Sequence, residues 1–411
     1  MSNIHSRRAL PIIFFTVLLD MISIGILIPV IPQLLANPDS PFFLLSKGTP
    51  ISYGYIILGI LIGVLPLAQF FATPVLGELS DIYGRKKVLA VSLAGTSVSY
   101  ILFIIGILTK SLTILFIARI LDGITGGNIS VAQAAIADVT AEKDRAKNFG
   151  LIGAAYGLGF IAGPLIGGIL SDHTLFTSFS ILTPFVIAAG LSALDVLAII
   201  FILPETHKPE GGTPSSWLSA LKHLTVAYSM KRLRYVFASN FFFQAGFSFF
   251  ATFLSVYLIH RFGFGEKGIG LYLAYGGIWI ALVQAFISRY ISSRYNDVSI
   301  LRWSLFFGSL TILAYYFPHS IIGLMLIVPL FSLANGLAMA YLPALVSKRA
   351  SAAMQGEVLG INMSVTSLAQ AIPPILSGFL AAELAPETPV YVAGIVVFVA
   401  WLIFTWKVRP E

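Results

Sequence analysis

Apolar runs of 18 residues or more recur along the whole chain, separated by short polar breaks, and each run is long enough to cross a ~30 Å hydrocarbon core as a helix. The pattern predicts twelve spans. In the first half they are 9–35, 53–77, 87–109, 112–138, 146–170 and 177–203; in the second half, 234–259, 268–291, 299–317, 321–346, 355–381 and 389–406. The longest polar stretch, "PETHKPEGGTPSSWLSALKHLTVAYSMKRLR", separates the two sets. Its Gly211, Gly212, Pro214 and Ser215 predict a flexible start, followed by a short amphipathic surface helix. The predicted organisation is an all-α polytopic membrane protein: a six-helix bundle over 1–205, a cytoplasmic linker over 206–232 and a second six-helix bundle over 233–411.

Composition agrees with that pattern. Of 411 residues, 57% are hydrophobic and 10% charged, and the mean hydropathy is +0.90. A soluble chain of this length carries about a quarter of its residues as charges, so a polar skin is excluded. The net charge of +7 points to a basic cytoplasmic side of a membrane rather than to nucleic acid. Placing both termini in the cytoplasm puts 20 of the 25 Lys and Arg inside, four outside (Lys47, Lys110, Arg261, Lys267) and one, Arg119, within a span. One missed span would reverse every later loop and destroy that asymmetry. The basic start "MSNIHSRRALPIIFF" leads into a run too long for a signal-peptide core, so it reads as an uncleaved first span. There are no cysteines, which excludes disulfides and thiolate metal sites. The six histidines are scattered, and no metal site is expected.

Only three of the eighteen carboxylates lie well inside predicted spans: Asp20, Asp122 and Asp195. Asp20 is eleven residues past Ala9, about 16 Å into the core. Asp122 is also near mid-membrane, three residues after Arg119 on the same helix face. A carboxylate at that depth costs about 2.5–3.5 kcal/mol. Burial and a neighbouring guanidinium act on its proton affinity in opposite directions. These residues therefore read as a proton-coupling group, with Asp20 as principal carrier, Asp122 as helper, Arg119 setting their affinities and Asp195 as a secondary site. The bland reading, in which Arg119 and Asp122 merely neutralise each other and Asp20 is a hydrogen-bonded core residue, stays open. The intramembrane amides Gln69, Asn240, Gln244, Gln284, Asn335, Asn362 and Gln370 either line a substrate cavity or hold helices together. The phenylalanines of "NFFFQAGFSFFATF" suit a lipophilic ligand or a lipid-facing surface.

Four motifs carry a resemblance. "GELSDIYGRKK" (77–87) has the form G-x-L-x-D-x-x-G-R-[KR], with Gly77, Asp81, Gly84, Arg85 and Lys86. "LLDMISIGILIPVIPQL" places Asp20 in a D-x-x-G-x-x-x-P-x-x-P pattern, and "ARILDGITGGN" holds Arg119 and Gly123 as R-x-x-x-G. "GFIAGPLIGG" (159–168) gives G-x-x-x-G-P-x-x-G-G through Gly159, Gly163, Pro164, Gly167 and Gly168. In these the chain resembles the major facilitator superfamily, and within it the twelve-helix drug:proton antiporters that include tetracycline exporters. The resemblance implies export of small lipophilic, cationic or zwitterionic compounds by alternating access. It also implies a monomer in the cell membrane, driven by the proton gradient without a cofactor. No G-x-x-x-x-G-K-[ST] stretch is present for ATP.

The resemblance further implies that Gly77 lets span 2 approach span 11, that Asp81 pairs with Arg85 and accepts from the start of span 11 near 355–357, and that Asp138 completes a gate. Span 5 would form a tight seam against proton leak. Ile280 and Ser309 stand where tetracycline exporters carry a histidine and an aspartate, which leaves the substrate open. A metabolite or sugar uniporter or symporter of the same fold is the alternative, against which the span 5 motif argues. A membrane sensor or enzyme is the other, and no nucleophile and base constellation supports it.

Overall fold

The computed structural model describes residues 3–409, apart from 47, 141–144, 173, 208, 210, 212–218 and 351–354. It is helical, with no strand among the described residues. In chain order the helices are α1 (Asn3–Leu27), α2 (Ile31–Leu35), α3 (Ile51–Tyr83), α4 (Arg85–Leu108), α5 (Leu112–Thr125), α6 (Asn128–Val139), α7 (Arg145–Leu170) and α8 (Thr183–Phe201). They continue with α9 (Ser219–Ser229), α10 (Arg234–Phe262), α11 (Glu266–Leu282), α12 (Ser288–Ser292), α13 (Asp297–Leu313), α14 (Ile321–Arg349), α15 (Gln355–Glu383) and α16 (Thr388–Lys407). Eleven helical stretches among the described residues are long and apolar enough to cross a membrane. The expected fifth span is α7, whose apolar part runs over Gly157–Leu170. Large apolar side chains such as Val91, Leu108, Leu194, Phe201, Ile322 and Leu326 stand exposed on these helices, as a lipid-facing surface requires. The protein is a multi-pass membrane protein.

Four predicted spans are not single α-helices: the ninth ends in a 3₁₀ turn at Ala314–Tyr316, and three are interrupted within the span. The first breaks over 28–30, where Pro29 has no N–H to donate and Pro32 stands in the first turn of α2. The fourth breaks at Gly126 and Gly127, between α5 and α6. A Cβ on Gly127 would lie 2.8 Å from Leu76 Cδ1 and 3.0 Å from Thr73 Cα, so this bend lets the backbone lie against α3. The eighth contains a π-helical turn at Val283–Ile287 between α11 and α12. In the linker, α9 is the expected short helix; of the four residues expected to be flexible, Gly212, Pro214 and Ser215 lie outside the described residues.

The chain divides into two compact units: Met1–Ile31, Leu67–Ala220 and Glu266–Ala274 in one, Pro32–Pro66, Leu221–Gly265 and Tyr275–Glu411 in the other. Both α3 and α11 are therefore split, each giving one end to either unit. The first unit is closed by Ile13 and Val17 of α1, Leu89 and Leu93 of α4, Val131, Ala135 and Ile136 of α6, and Ile199 of α8. In the second, Phe250 packs on Phe331 with centroids 4.6 Å apart, and the Tyr257 hydroxyl donates to the Tyr315 carbonyl at 2.8 Å. There α3 crosses α15 at glycine: a Cβ on Gly59 would stand 2.4 Å from the Pro374 carbonyl oxygen.

Candidate functional site

The first unit gathers the intramembrane charges. Asp20 on α1 is buried, in a narrow crevice lined by Thr16, Val17, Asn128, Ile129 and Ala132. Asn128 is the first residue of α6, placed there by the glycine break before it, and its side-chain amide faces the Asp20 carboxyl. On α5, Arg119 Nη1 meets Asp122 Oδ2 at 3.4 Å, and its guanidinium lies 5.3 Å from the Phe103 ring centroid. Both charged groups are buried. Asp122 and Asp195 are within electrostatic reach of Asp20. The Tyr100 hydroxyl from α4, buried and without a partner among the described residues, is within reach of Asp20, Asp122 and Arg119. The four expected charged residues thus come together in one unit.

Thr16, Tyr100 and Asn128 are additions that sequence reasoning passed over. Thr16 sits one turn before Asp20, and Asn128 follows the two glycines that open α6; those are usable signals. Tyr100 gives none, because a lone tyrosine in an apolar helix looks like core.

A second cluster surrounds the turn between α3 and α4. Gly84, the single residue between them, has φ +96°, which favours glycine. Arg85 is buried and meets Asp81 at 2.6 Å and Asp138 at 3.0 Å, and also donates to Ser80. Glu205, two residues beyond the Leu203 that closes the core after α8, accepts from the backbone N–H of Arg85 at 2.9 Å and of Lys86 at 3.3 Å. It thereby caps the positive N-terminus of α4 with a carboxylate. A Cβ on Gly84 would lie 2.4 Å from Glu205 Oε2. The only sequence signal for Glu205 is the polar "PETH" that directly follows an apolar run. An added Cβ at Gly77 would meet nothing within 4 Å among the described residues. The side chains over 355–357, expected to face Asp81, lie outside the described residues.

The glycines of α7 serve two neighbours. At Gly159, Gly163 and Gly167, spaced by four, an added Cβ would meet α1 at Met21 Cβ (2.4 Å), Gly25 Cα (2.7 Å) and the Ile26 oxygen (2.1 Å). Gly168, turned about 100° away, faces α11 instead: its Cβ would lie 2.7 Å from the Glu266 oxygen and 3.0 Å from Gly270 Cα. The Pro164 carbonyl, in turn, faces Gly270. Beyond this seam Lys267 reaches Asp172 at 3.2 Å. The Asp172 carboxyl is held below the ordinary carboxylate range, first by hydrogen bonds from Thr174 and then by Lys267.

The amides part ways. Gln69 donates to the Gly126 carbonyl at 2.6 Å, bracing the break between α5 and α6. Asn240 donates to Asn362 at 3.0 Å and to Thr366 at 3.3 Å, joining α10 to α15, while its own oxygen has no partner among the described residues. Asn335 donates to the Phe331 carbonyl of its own helix at 3.0 Å. Gln244 and Gln370 are half-buried, and Gln284 is exposed on the π-helical turn. Ser309 donates to the Gly394 carbonyl at 3.0 Å.

A multi-pass helical protein that keeps carboxylates and a guanidinium in the middle of its helices, and crosses its helices at glycine, is a membrane transporter and not an enzyme. The chain belongs to the Major Facilitator Superfamily, whose family profile matches residues 13–374. It is 32% identical to the tetracycline resistance protein, class C, of Escherichia coli, over 90% of this chain and 89% of that one. It is 27% identical to the quinolone resistance protein NorA of Staphylococcus aureus (strain MSSA476), over 93% and 92%. Among solved structures, the D-xylose–proton symporter shares the fold with a TM-score of 0.76 at 15% identity, covering 100% of this chain and 99% of that one.

Proposed function

We propose that the protein is a proton-coupled antiporter that exports small lipophilic compounds, cationic or zwitterionic, by alternating access. Asp20 is the principal proton carrier, Asp122 its helper, and Arg119 the fixed charge that sets their affinities. The observation that carries the reading is the buried Asp20, set in a narrow crevice with the Asn128 amide beside it and the Arg119–Asp122 pair within reach. A carboxyl there has a neutral form suited to the crevice and a charged form that the nearby guanidinium tolerates. Proton binding and release then exchange two states of the site. Inward proton flow at ~180 mV supplies about 4 kcal/mol per charge, enough for roughly a thousandfold gradient of an exported compound.

In this reading the protein works as a monomer in the cell membrane with both termini in the cytoplasm, which the asymmetry of Lys and Arg supports. The cluster at Asp81, Arg85, Asp138 and Glu205 acts as a gate at the cytoplasmic side, and the α1–α7 seam resists proton leak. Similarity to proteins named for tetracycline and quinolone resistance supports drug export and makes those compounds the first to try.

The test uses proteoliposomes that hold a pH-sensitive dye and are challenged in turn with a cationic dye, a tetracycline, a quinolone and sugars. A drug is expected to evoke proton movement opposite to its own flux, and Asp20→Asn is expected to abolish it. Full proton-driven transport in Asp20→Asn overturns the carrier assignment. Proton movement in the same direction as the compound overturns antiport.

A further inference from the structure

Asp195 lies on α8, six residues before the helix ends, and is 2% exposed. A side chain so near the end of a span is expected to reach for the interface; this one turns inward. Its Oδ1 accepts from the Thr16 hydroxyl at 2.9 Å, and its Oδ2 has no partner among the described residues. Thr16 is itself buried, lines the Asp20 crevice and stands one helical turn from Asp20. Thr16 therefore contacts Asp195 through its hydroxyl and lines the crevice of Asp20, with which it shares a helix face.

We propose that Asp195 is a second proton-binding group of the transport cycle, attached to the Asp20 site through Thr16, so that each cycle carries one proton more than Asp20 alone would carry. The inference rests on the antiport reading above.

The argument turns on how the buried carboxyls of this unit are compensated. Asp122 has a guanidinium 3.4 Å away. Asp20 has the Asn128 amide beside it in the crevice and the Arg119–Asp122 pair within reach. Asp195 has one neutral hydroxyl and no basic partner among the described residues. The titratable and charged groups around the cluster are Asp20 from α1, Tyr100 from α4, and Arg119 and Asp122 from α5. The other charges at the start of α4 include Arg85, which is engaged by Asp81 and Asp138, and the described side chains of α7 add none. A purely structural partner for Thr16 would need only a neutral acceptor, which asparagine supplies without the desolvation of a carboxylate.

The hydroxyl suits both protonation states. It donates to the carboxylate; when Asp195 takes up a proton on Oδ2 the hydroxyl goes on donating to Oδ1, and when the proton sits on Oδ1 the hydroxyl rotates and accepts. Only a proton is gained and lost, so no bond other than O–H forms or breaks.

The experiment measures the number of protons released per substrate exported. Full-length protein in proteoliposomes is given a cationic dye, with internal pH and dye fluorescence read together at several potassium–valinomycin potentials. Asp195→Asn is expected to lower the proton:substrate ratio by one and to weaken the voltage dependence, while Asp20-dependent antiport continues. Thr16→Val, which keeps the shape and removes the hydroxyl, is expected to act in the same direction, and Thr16→Ser to restore the wild-type ratio. The infrared difference spectrum between low and high pH is expected to lose one buried carboxylic C=O band in Asp195→Asn. An unchanged ratio in Asp195→Asn and Thr16→Val overturns the proposal and leaves antiport standing. Wild-type protein that exports the dye with no proton movement overturns the antiport reading itself, and this proposal with it. Should Asp195→Asn fail to fold, the Thr16 pair and the infrared band of the wild type decide the matter.

Discussion

Gly167→Ala adds one methyl group to α7 at the tightest point of its seam with α1. The new Cβ would stand 2.1 Å from the Ile26 carbonyl oxygen, 2.8 Å from its carbon and 2.9 Å from its Cα, where ordinary contact begins at 3.4 Å. All three obstacles are backbone, so no side chain can rotate away. The two helices must part by about 1 Å along the stretch that runs from Met21 to Ile26 on α1. A gap of that size forfeits about a quarter to a half of each pairwise attraction, itself ~0.1–0.2 kcal/mol, so some thirty atom pairs give up about 2 kcal/mol. That figure agrees with the usual penalty of about 1–3 kcal/mol for overpacking. Gly157 on the same helix is the internal control, since a Cβ there meets nothing within 4 Å among the described residues. Gly157→Ala is expected to be neutral or to stabilise by about 0.5–1 kcal/mol through reduced backbone entropy. The assay is the thermal midpoint of unfolding in detergent, with proton leak through proteoliposomes as a second readout. Gly167→Ala should melt clearly below wild type and leak, and Gly157→Ala should do neither. Equal midpoints for the two variants would refute the reasoning, because the glycines would then be serving something other than close approach.

Three further outcomes follow from the charged clusters. Arg85→Gln leaves Asp138 facing a neutral group in a largely buried setting and is expected to cost about 3 kcal/mol; Asp81→Asn, on a half-exposed carboxylate with Arg85 still held by Asp138, should cost under about 1 kcal/mol. Melting midpoints that rank the two variants the other way would contradict this. Glu205→Gln should weaken the N-terminal cap of α4 by about 1 kcal/mol, read as faster amide hydrogen exchange over 85–88 with the rest of α4 unchanged. For Asp172, a carboxyl held below its ordinary value stabilises the fold above about pH 4 and loses that stabilisation as pH falls through its lowered value. The melting midpoint should therefore owe nothing to Asp172 titration between pH 5 and 8, and Asp172→Asn should remove part of the acid-induced drop.

Much of the architecture was legible because a bilayer leaves backbone few choices. Long apolar runs become helices, and the runs at 87–109 and 321–346 do so with little change. What was not legible is where a helix interrupts itself. Hydropathy counts apolar area, and Pro29, Pro32, Gly126 and Gly127 barely alter that count, yet they end α1 and α5 and place Asn128 beside Asp20. The residues of the candidate site divide on similar lines. Asp20, Arg119, Asp122 and Asp195 announce themselves because charge in hydrocarbon is costly wherever it points. Thr16, Tyr100 and Asn128 are cheap enough in a helix to need no explanation, so only geometry singles them out.

The same reasoning separates two kinds of glycine that look alike in the sequence. Gly77 and Gly84 both belong to the loop motif, but an added Cβ at Gly77 meets nothing within 4 Å among the described residues, whereas Gly84 combines φ +96° with a carboxylate 2.4 Å from where its Cβ would stand. Gly84 is therefore fixed by its neighbour as well as by its backbone: the turn must be small so that Glu205 can reach the first amides of α4. That carboxylate comes from the far end of the first half, over a hundred residues away. The turn at 84 thus couples the start of α4 to the end of α8. The charge concentrated at 77–87 consequently reaches beyond membrane orientation, for which Lys86 and Lys87 would have sufficed. Arg85 is buried between two carboxylates while a third caps its backbone, and this arrangement makes the turn one joint between α3, α4, α6 and the end of α8. A joint of that kind moves only if several charge-assisted bonds yield together, which is the property the proposed gate requires.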